Sequence, residues 1–378
     1  GRTSHTAILA AQMGIPAVVQ LVGAREIPVG TIVAVDGDSG EVTIDPSPAY
    51  QQELVGKRER RRTALAGSSG PGRTADGYPV KLLANIGGVE DAQSAAAQDV
   101  EGVGLFRTEF VFLSRDTAPT LEEQTDIYTK VFQPFGSRRV VVRTLDAGAD
   151  KPLAFADLGP EENPALGKRG LRLSALRPEL LDTQLEALSK AAKATSAEVK
   201  VMAPMVATAE EAAWFARRVR ENGLPSVGVM IEVPGAAMAA RHVMAEVDFG
   251  SLGTNDLAQY TMAADRMEGA LSDLLDPWQP AVLAVIGAAC EGAKVAGKPM
   301  GVCGEAGGDP LLALVLAGLG VNSLSMAPSK VGIVRYALGL HTMAVCQGMA
   351  TAALDARTAT DAHDAVLALA HEDLAALL

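Results

Sequence analysis

The chain has 378 residues, a formal net charge of -12 at pH 7 and only 4% aromatic residues. This acidic balance argues against a nucleic-acid-binding surface, which needs a basic footprint. No apolar run is long enough to span a membrane. The three cysteines are widely spaced, which predicts neither a disulfide framework nor a metal knuckle and fits a reducing cytoplasm. The length suggests two or three domains, or one barrel of about 250 residues with an appendage.

The first twelve residues predict a glycine turn that leads into a helix, with Thr3 or Ser4 as the N-cap and His5 in the first turn. A helix N-terminus offers free N–H groups and a positive dipole end, so a phosphate carried on His5 would be stabilised there. The alternative is a surface histidine beside a helix cap. Because the chain begins at Gly1 without a Met and enters this motif at once, we expect that upstream residues are missing.

Residues 1–50 predict a small, partial α/β domain. Three short apolar and β-branched segments follow the first helix and predict strands, and turns are predicted at Gly37-Asp38 and Ser39-Gly40. The predicted strands are 17–19, 31–35 and 41–44.

Residues 51–77 predict a linker between two domains. The stretch 50–66 is rich in charge and Gln, with a basic run at 57–62, and predicts an exposed helix. The basic run would suit a polyanion, but a solvated linker helix fits the composition better. The glycine-rich stretch 67–72 predicts a flexible break.

Residues 78–378 alternate apolar strands with amphipathic helical stretches, which predicts a (β/α)8 TIM barrel with its chemistry at the C-terminal ends of the strands. A doubly wound open sheet is the alternative architecture. The segment 146–198 is too long for a single helix and predicts an excursion near the active site. The eight predicted strands are 80–85, 102–107, 139–145, 199–205, 227–232, 248–253, 299–303 and 322–326.

Two carboxylates follow neighbouring strands of this predicted barrel. Glu232 ends the apolar run from Val227, and Asp256 follows the next run, with a helical stretch at 236–247 between them. In such a β-α-β unit the strands are parallel and adjacent, so the two acids converge, which is unfavourable unless a cation lies between them. Oxygen ligands without a nearby His or Cys favour Mg²⁺. The alternative is that each acid caps the following helix.

Cations collect at the same strand ends. Arginine fits phosphate and carboxylate bidentately, so several arginines beside a metal predict a site for a small substrate with phosphate, carboxylate or both. Taken singly, Arg107 and Arg143 are also compatible with interior ion pairs, Cys303 with a small buried apolar residue, and Asn255 with a turn. The candidates are Arg107, Arg143, Lys151, Arg169, Asn255, Arg266 and Cys303, with Asp146 beside them.

Successive motifs resemble those of Enzyme I of the bacterial PEP:sugar phosphotransferase system, a family of PEP-utilising enzymes. The first, GRTSHTA at 1–7, resembles the family's phosphohistidine motif. The others are GVGLFRTEF at 102–110, VRTLDAGADK at 142–151, ENPALGKR at 162–169 and SLGTNDLAQY at 251–260. The resemblance covers essentially the whole chain, and it implies a dimerising PEP-binding barrel joined by a linker helix to a swivelling domain with the phosphorylated histidine.

The resemblance also implies a role for each candidate residue. Glu232 and Asp256 would bind Mg²⁺. The phosphoryl group would pass from phosphoenolpyruvate (PEP) to His5, Cys303 would protonate the enolate to give pyruvate, and His5 would hand the phosphate to the phosphocarrier HPr. The PEP-binding residues would be Arg107, Arg143 and Arg266, assisted by Asn255 and Lys151, with Arg169 nearby.

The chain departs from the family pattern in four places. The family's HPr-binding region and the first half of the swivelling domain are absent from this sequence, and the histidine motif starts one glycine short. Ala149 replaces a glycine, and Gly250 stands where an aromatic residue is usual. Two alternatives remain open: a fragment similar to pyruvate phosphate dikinase or PEP synthase, and a non-catalytic, dimeric PEP-binding remnant.

Overall fold

The computed structural model describes residues 15–19, 21–37, 40–113, 115–148, 153–156 and 159–378. His5, Lys151 and the helix predicted at 3–12 lie outside these residues. Ten strands are present in the described part of the chain: β1 Val33–Val35, β2 Val42–Ile44, β3 Lys81–Ile86, β4 Gly102–Arg107, β5 Arg139–Arg143, β6 Glu198–Ala203, β7 Val227–Ile231, β8 Phe249–Leu252, β9 Met300–Val302 and β10 Ser323–Met326.

Strands β3 to β10 form a closed parallel barrel in which each strand pairs with its neighbours in the chain and β10 pairs with β3. The predicted (β/α)8 barrel is therefore confirmed, and the open sheet is excluded. All eight predicted strands are present, with ends that differ by at most two residues. Parallel strands need crossover connections, and helices between them supply these connections and cover the apolar outer face of the barrel.

The helices follow the strands in alternation. Two of them begin with a reciprocal capping box, Thr120 with Glu123 and Thr208 with Glu211. The helices are α1 Pro48–Ala66, α2 Val89–Ala96, α3 Glu109–Phe112, α4 Leu121–Phe132, α5 Leu171–Leu176, α6 Pro178–Lys193, α7 Ala209–Glu221, α8 Pro234–Met238, α9 Ala240–Val243, α10 Thr254–Met262, α11 Pro280–Val295, α12 Pro310–Gly318, α13 Val331–Leu340, α14 Met343–Asp355, α15 Ala359–Leu367 and α16 Glu372–Ala375.

The helical stretch predicted at 236–247 is present, but it is interrupted. The segment divides into α8, α9 and a 3-10 turn at Met244–Glu246. The division accompanies a close approach to α11, because a Cβ placed on Gly292 would lie 2.7 Å from the Cβ of Ala240. Tertiary packing therefore overrides a composition that favours one continuous helix.

Two apolar layers pack the barrel. Outward-facing strand residues join the helices in one large core, where Phe106, Tyr128 and Phe132 are fully buried. The inward-facing layer is a separate cluster that crosses the barrel interior. It consists of Leu105, Val141, Met202, Met230 and Cys303. This layer separates the two mouths of the barrel.

The N-terminal segment and the linker helix precede the barrel. Strands β1 and β2 pair antiparallel. The strand predicted at 17–19 is wrong, because these residues have no regular structure. Helix α1 confirms the predicted exposed helix, since none of its side chains is fully buried, and Lys57 Nζ donates to the carbonyl oxygen of Leu378 at 2.6 Å.

The glycine-rich stretch after α1 is held against the barrel. The Gly70 N–H donates to Asp99 Oδ2 at 2.7 Å, and the Gly72 N–H donates to Glu101 Oε2 at 3.1 Å. A Cβ on Gly72 would lie 2.1 Å from the carbonyl oxygen of Val80, so this approach requires glycine. The stretch 67–72, predicted to be a flexible break, is thus anchored to the barrel by hydrogen bonds. The division of the chain into three domains stays a prediction.

None of the helices in the described ranges is by itself long and apolar enough to cross a membrane. Two consecutive segments, Pro328–Leu340 and Met343–Asp355, meet the length and composition requirement only together, across a bend of 105°.

A buried histidine holds the end of the chain and predicts a pH-dependent stability. His341 Nδ1 contacts the Ala337 carbonyl oxygen at 2.7 Å, and Nε2 accepts from the His371 N–H at 2.9 Å, so the ring is neutral. Burial lowers the pKa of His341, and nearby His371 lowers it further, against the opposing hydrogen bond to Ala337. The unfolded chain then binds the proton more readily, so this stabilisation is present above a pH of about 6.5 and is lost as pH falls through the folded-state pKa.

We therefore expect His341→Phe to destabilise the protein more at pH 7.5 than at pH 5. Urea unfolding of both proteins across this range measures the difference. Parallel stability curves for wild type and variant would contradict the assignment.

Candidate functional site

The C-terminal mouth of the barrel brings together most of the side chains predicted from the sequence. Inward-facing positions at or just after the strand ends carry Arg143, Glu232 and Cys303, all buried. The loops and helices that follow the strands add Arg169, Asp256 and Arg266. The alternation of side chains along each strand explains this convergence, because the last inward position of every strand faces the barrel axis.

Arg143 lies between two buried carboxylates. Its Nη2 contacts Glu109 Oε1 at 2.6 Å, and its Nη1 contacts Asp146 Oδ2 at 3.2 Å. Burial alone would lower the pKa of Arg143, but the charges of Glu109, Asp146 and Glu232 raise it. The guanidinium is therefore permanently charged and held in one orientation.

Arg169 continues the network into the next carboxylate. Its Nη2 contacts Asp146 Oδ2 at 3.0 Å, and its Nη1 contacts Asp256 Oδ1 at 2.8 Å. Asp256 Oδ2 also lies 3.6 Å from Nη1 of Arg266. Burial opposes the charge on Arg169, but Asp146 and Asp256 raise its pKa. An alternating chain of charges thus runs across the mouth from Glu109 to Arg266.

Glu232 is the most deeply buried acid of the mouth, with no exposed surface. Its Oε1 accepts from the Met205 N–H at 2.7 Å, whereas its Oε2 is buried and has no hydrogen-bond partner among the described residues. Burial raises the pKa of Glu232, and the negative charges of Asp256 and Asp146 raise it further. A buried carboxylate oxygen that lacks a hydrogen-bond donor within the described ranges, such as Glu232 Oε2, would be stabilised by a bound cation.

The residues present fit the predicted Mg²⁺ ion. Glu232 and Asp256 interact electrostatically, and Glu232 offers a buried oxygen without a donor in the described part of the chain. Both supply the hard oxygen ligands that Mg²⁺ prefers, and Mg²⁺ keeps most of its remaining positions for water and substrate oxygens. Across the described ranges, no group of three or more His, Cys, Asp or Glu side chains is arranged to hold a metal. Among the described residues, Glu232 and Asp256 are the side chains that would hold this ion.

Gly253 controls the position of the Glu232 carboxylate. A Cβ on Gly253 would lie 2.4 Å from Glu232 Oε2 and 3.0 Å from the Glu232 Cβ, so Gly253→Ala must displace this acid. We expect at least a tenfold loss of affinity for Mg²⁺ and PEP together, in line with the roughly 10–100-fold effects of disturbing the support of a metal ligand. Gly235→Ala is the matched control, because a Cβ there meets nothing within 4 Å. Isothermal titration measures both, and equal affinities would contradict this role.

The remaining residues predicted for the site either take no part in the buried charge network or lie outside the described ranges. Arg107 ends β4, is partly exposed, and forms no ion pair or hydrogen bond with the described residues, although its charge lowers the pKa of the Cys303 thiol. Asn255 is exposed in the first turn of α10. The positions of Lys151 and His5 are outside the described ranges. The roles of all these residues stay predictions.

Cys303 lies at the floor of the mouth, in the inward-facing apolar layer. Its Sγ lies 3.6 Å from the carbonyl oxygen of Leu252. Burial raises the pKa of the thiol to about 11, against a hydrogen bond from Ser251 that lowers it. At neutral pH Cys303 is therefore a protonated thiol and not a thiolate nucleophile.

Three polar residues of the site were not assigned a role from the sequence. Glu109 and Asp146 both stand inside the motifs that carry the family resemblance, so the motifs contained this signal. Gln184 had none, because it lies in the middle of α6. Its Oε1 accepts from the Leu145 N–H at 2.9 Å, and its Nε2 donates to Tyr128 Oη at 3.0 Å, so it fixes the loop after β5.

Comparisons with known proteins find two family models and several relatives that are similar to this chain. The family described as PEP-utilising enzyme, PEP-binding domain, matches residues 66–342, and the mobile domain of PEP-utilising enzymes matches residues 1–40. A solved HpcH/HpaI aldolase/citrate lyase family protein from Burkholderia cenocepacia aligns with 71% of this chain and 93% of its own, at 15% identity and a TM-score of 0.42.

Two curated relatives carry the same name. The phosphoenolpyruvate-protein phosphotransferase of Streptomyces coelicolor is 53% identical over 98% of this chain and 67% of its own length. That of Haloferax volcanii is 42% identical over 95% of this chain and 65% of its own. The chain thus spans about two thirds of these relatives, and the resemblance inferred from the motifs is confirmed. This chain belongs to the PEP-utilising enzymes, in the family of the phosphoenolpyruvate-protein phosphotransferases, or Enzyme I proteins.

Proposed function

We propose that the protein transfers the phosphoryl group of PEP to His5 in a Mg²⁺-dependent reaction that yields pyruvate. The observation that carries this proposal is the buried network at the barrel mouth, in which Arg143 and Arg169 lie among Glu232 and Asp256. A substrate with both phosphate and carboxylate suits such a site, because arginine binds either group bidentately. Family membership supports the same substrate.

The arginines would bind and orient the substrate. Arg107 has no ion pair within the described part of the protein, so its guanidinium is available for an incoming anion. Carboxylates hold Arg143, Arg169 and Arg266 in fixed orientations. These arginines therefore need not reorganise during the reaction. Asn255 and Lys151 are proposed to assist them.

Glu232 and Asp256 would hold the Mg²⁺ ion. When bound, this ion neutralises negative charge on the substrate oxygens. The protein itself supplies the two carboxylates, and the network through Arg169 fixes Asp256.

The transfer then requires one bond exchange and one proton. The bond between phosphorus and the enol oxygen breaks as a bond forms between phosphorus and a ring nitrogen of His5. The electron pair left on the oxygen gives the enolate of pyruvate. The Cys303 thiol would donate its proton to the enolate carbon, and its raised pKa, which keeps it protonated, supports this role.

Cys303→Ala is accordingly expected to leave PEP affinity within about twofold while lowering turnover by about 10²–10⁴, the usual contribution of a general acid. Steady-state pyruvate formation and equilibrium PEP binding measure the two effects. Cys290→Ala is the control, because this buried thiol lies in α11, away from the mouth. An unchanged turnover for Cys303→Ala would remove the thiol from the mechanism.

Labelled PEP tests the function directly. Incubation with phosphoryl-labelled PEP and Mg²⁺ should give an acid-labile, base-stable label on His5 together with pyruvate, and His5→Gln should not be labelled. Label that requires ATP would indicate a dikinase, and PEP binding without label would indicate a non-catalytic remnant. Either result would contradict the proposal.

The partners are part of the same proposal. His5 would pass its phosphate to HPr, and the barrel would form a homodimer in the cytoplasm. Exposed large apolar side chains of the barrel, including Phe110, Met238 and Met267, would contribute surface to such a dimer. All three cysteines are free and buried, which is compatible with a reducing compartment.

A further inference from the structure

A second cavity opens at the opposite, N-terminal mouth of the barrel. This basal cavity has a volume of about 330 Å³ and is lined by the first inward-facing residues of the strands, including Lys81, Arg139, Lys200 and Phe249. The volume lies at the lower end of the range of roughly 300–1,000 Å³ that is typical of small-molecule sites.

Small residues at several of the inward positions help to keep this cavity open. Gly104 and Gly301 line the cavity. A Cβ on Gly104 would lie 2.5 Å from the Ser325 side chain, and a Cβ on Gly301 would lie 2.4 Å from the Ser323 Oγ. Larger side chains are excluded at these two positions, so the lower part of the barrel interior remains unfilled. The interiors of eight-stranded parallel barrels are normally packed with bulky branched side chains.

The cavity is separate from the PEP site. Arg139 begins β5 and Arg143 ends it, which places the two residues roughly 13 Å apart along the strand. Between the two mouths lies the apolar layer that contains Leu105, Val141 and Met202. A ligand of the basal cavity would therefore not contact the substrate of the other mouth.

The charges lining the cavity favour an anion. Lys81 and Arg139 form no ion pair with a described residue, although the charges of both help to lower the pKa of nearby Glu198. The buried Nε of Arg139 has no acceptor within the described ranges. Lys200 Nζ contacts Glu198 Oε1 at 2.9 Å and lies 5.9 Å from the centre of the Phe249 ring.

One acid also lines the cavity, but it has partners elsewhere. Asp248 Oδ2 accepts from the Val227 N–H at 3.0 Å, and the carboxylate lies 3.4 Å from Arg220 Nη2. Its charge is thus compensated outside the cavity. The lining remains positive although the whole protein is acidic, with a net charge of -12.

We propose that the basal cavity is a second binding site, for a small metabolite whose phosphate or carboxylate group is bound by Lys81, Arg139 and Lys200. The apolar wall formed by Leu83 and Val141 would contact the body of the ligand. Arg139 and the two lysines supply charge-assisted hydrogen bonds, the strongest class available to an oxyanion.

Equilibrium dialysis with labelled inorganic phosphate and, separately, labelled succinate tests this site and distinguishes the two anionic groups. We expect wild type to bind at least one of them, and Arg139→Gln and Lys200→Gln to weaken that binding about tenfold, as for the loss of one charged hydrogen bond. Lys81→Gln, at an exposed position, should weaken it too and is not expected to disturb folding.

Two controls separate this site from the PEP site and from general charge effects. Arg107→Gln, at the other mouth, should remove any anion bound there and leave the basal anion in place. Lys190→Gln, an exposed lysine on α6, should have no effect. Binding of neither anion, binding lost with Arg107→Gln alone, or equal weakening by Lys190→Gln would overturn the proposal.

Discussion

Arg143→Met is expected to lower the free energy of unfolding by about 3–5 kcal/mol, the usual effect of removing one partner from a buried ion pair. The guanidinium is the shared partner of Glu109 and Asp146, and the side chains of all three are at least 93% buried. Its removal leaves two carboxylates facing each other in a barrel interior, where they cannot be solvated. Urea unfolding monitored by circular dichroism measures the change.

Lys130→Met is the matched control for this prediction. Lys130 pairs with Asp126 at 2.6 Å on the outer surface of α4, and both side chains are more than half exposed. Exposed pairs at this helical spacing contribute only about 0.3–0.5 kcal/mol. Equal destabilisation by the two substitutions would show that the network at the mouth is not required for stability.

Asp256→Asn is expected to reduce Mg²⁺-dependent PEP binding by at least about 100-fold, because it removes one of two protein ligands of the proposed ion and the fixed partner of Arg169. Asparagine has nearly the same shape as aspartate, so a loss of PEP binding would result from the loss of the negative charge. Isothermal titration of PEP with and without Mg²⁺ measures it.

Asp355→Asn makes the same chemical change at an exposed position at the end of α14 and should bind PEP normally. Binding by Asp256→Asn that still depends on Mg²⁺ would mean that the metal lies elsewhere. Binding that no longer depends on Mg²⁺ but keeps its strength would mean that the arginines alone hold the substrate.

The barrel could be predicted from the sequence because short, largely apolar runs bounded by turn residues alternate with helical stretches along the chain. The run from Val227 to Ile231 is fully buried, as its composition requires for a strand covered on both faces. The position of Glu232 followed from the same pattern, since it is the next inward-facing residue. The ends of a strand and the direction in which its side chains face depend on neighbouring residues in the chain. They can therefore be predicted from one sequence.

The pairing of charges could not be predicted in the same way. Arg169 and Asp256 are separated by 87 residues, and their 2.8 Å contact depends on how the loop after β5 folds over the mouth. The loop is held by Gln184, a residue in the middle of a helix with no distinguishing pattern. The break between α8 and α9 has a similar origin, because it accompanies the close approach of Gly292 to Ala240. Such contacts are set by tertiary packing.

The most direct test of the account is to locate the metal. Crystals grown with Mn²⁺ in place of Mg²⁺ and with PEP would reveal the ion by its anomalous scattering. The account predicts one ion at the C-terminal mouth, bound by the carboxylates of both Glu232 and Asp256 and by PEP oxygens. PEP bound at the mouth without an ion on these two side chains would contradict it.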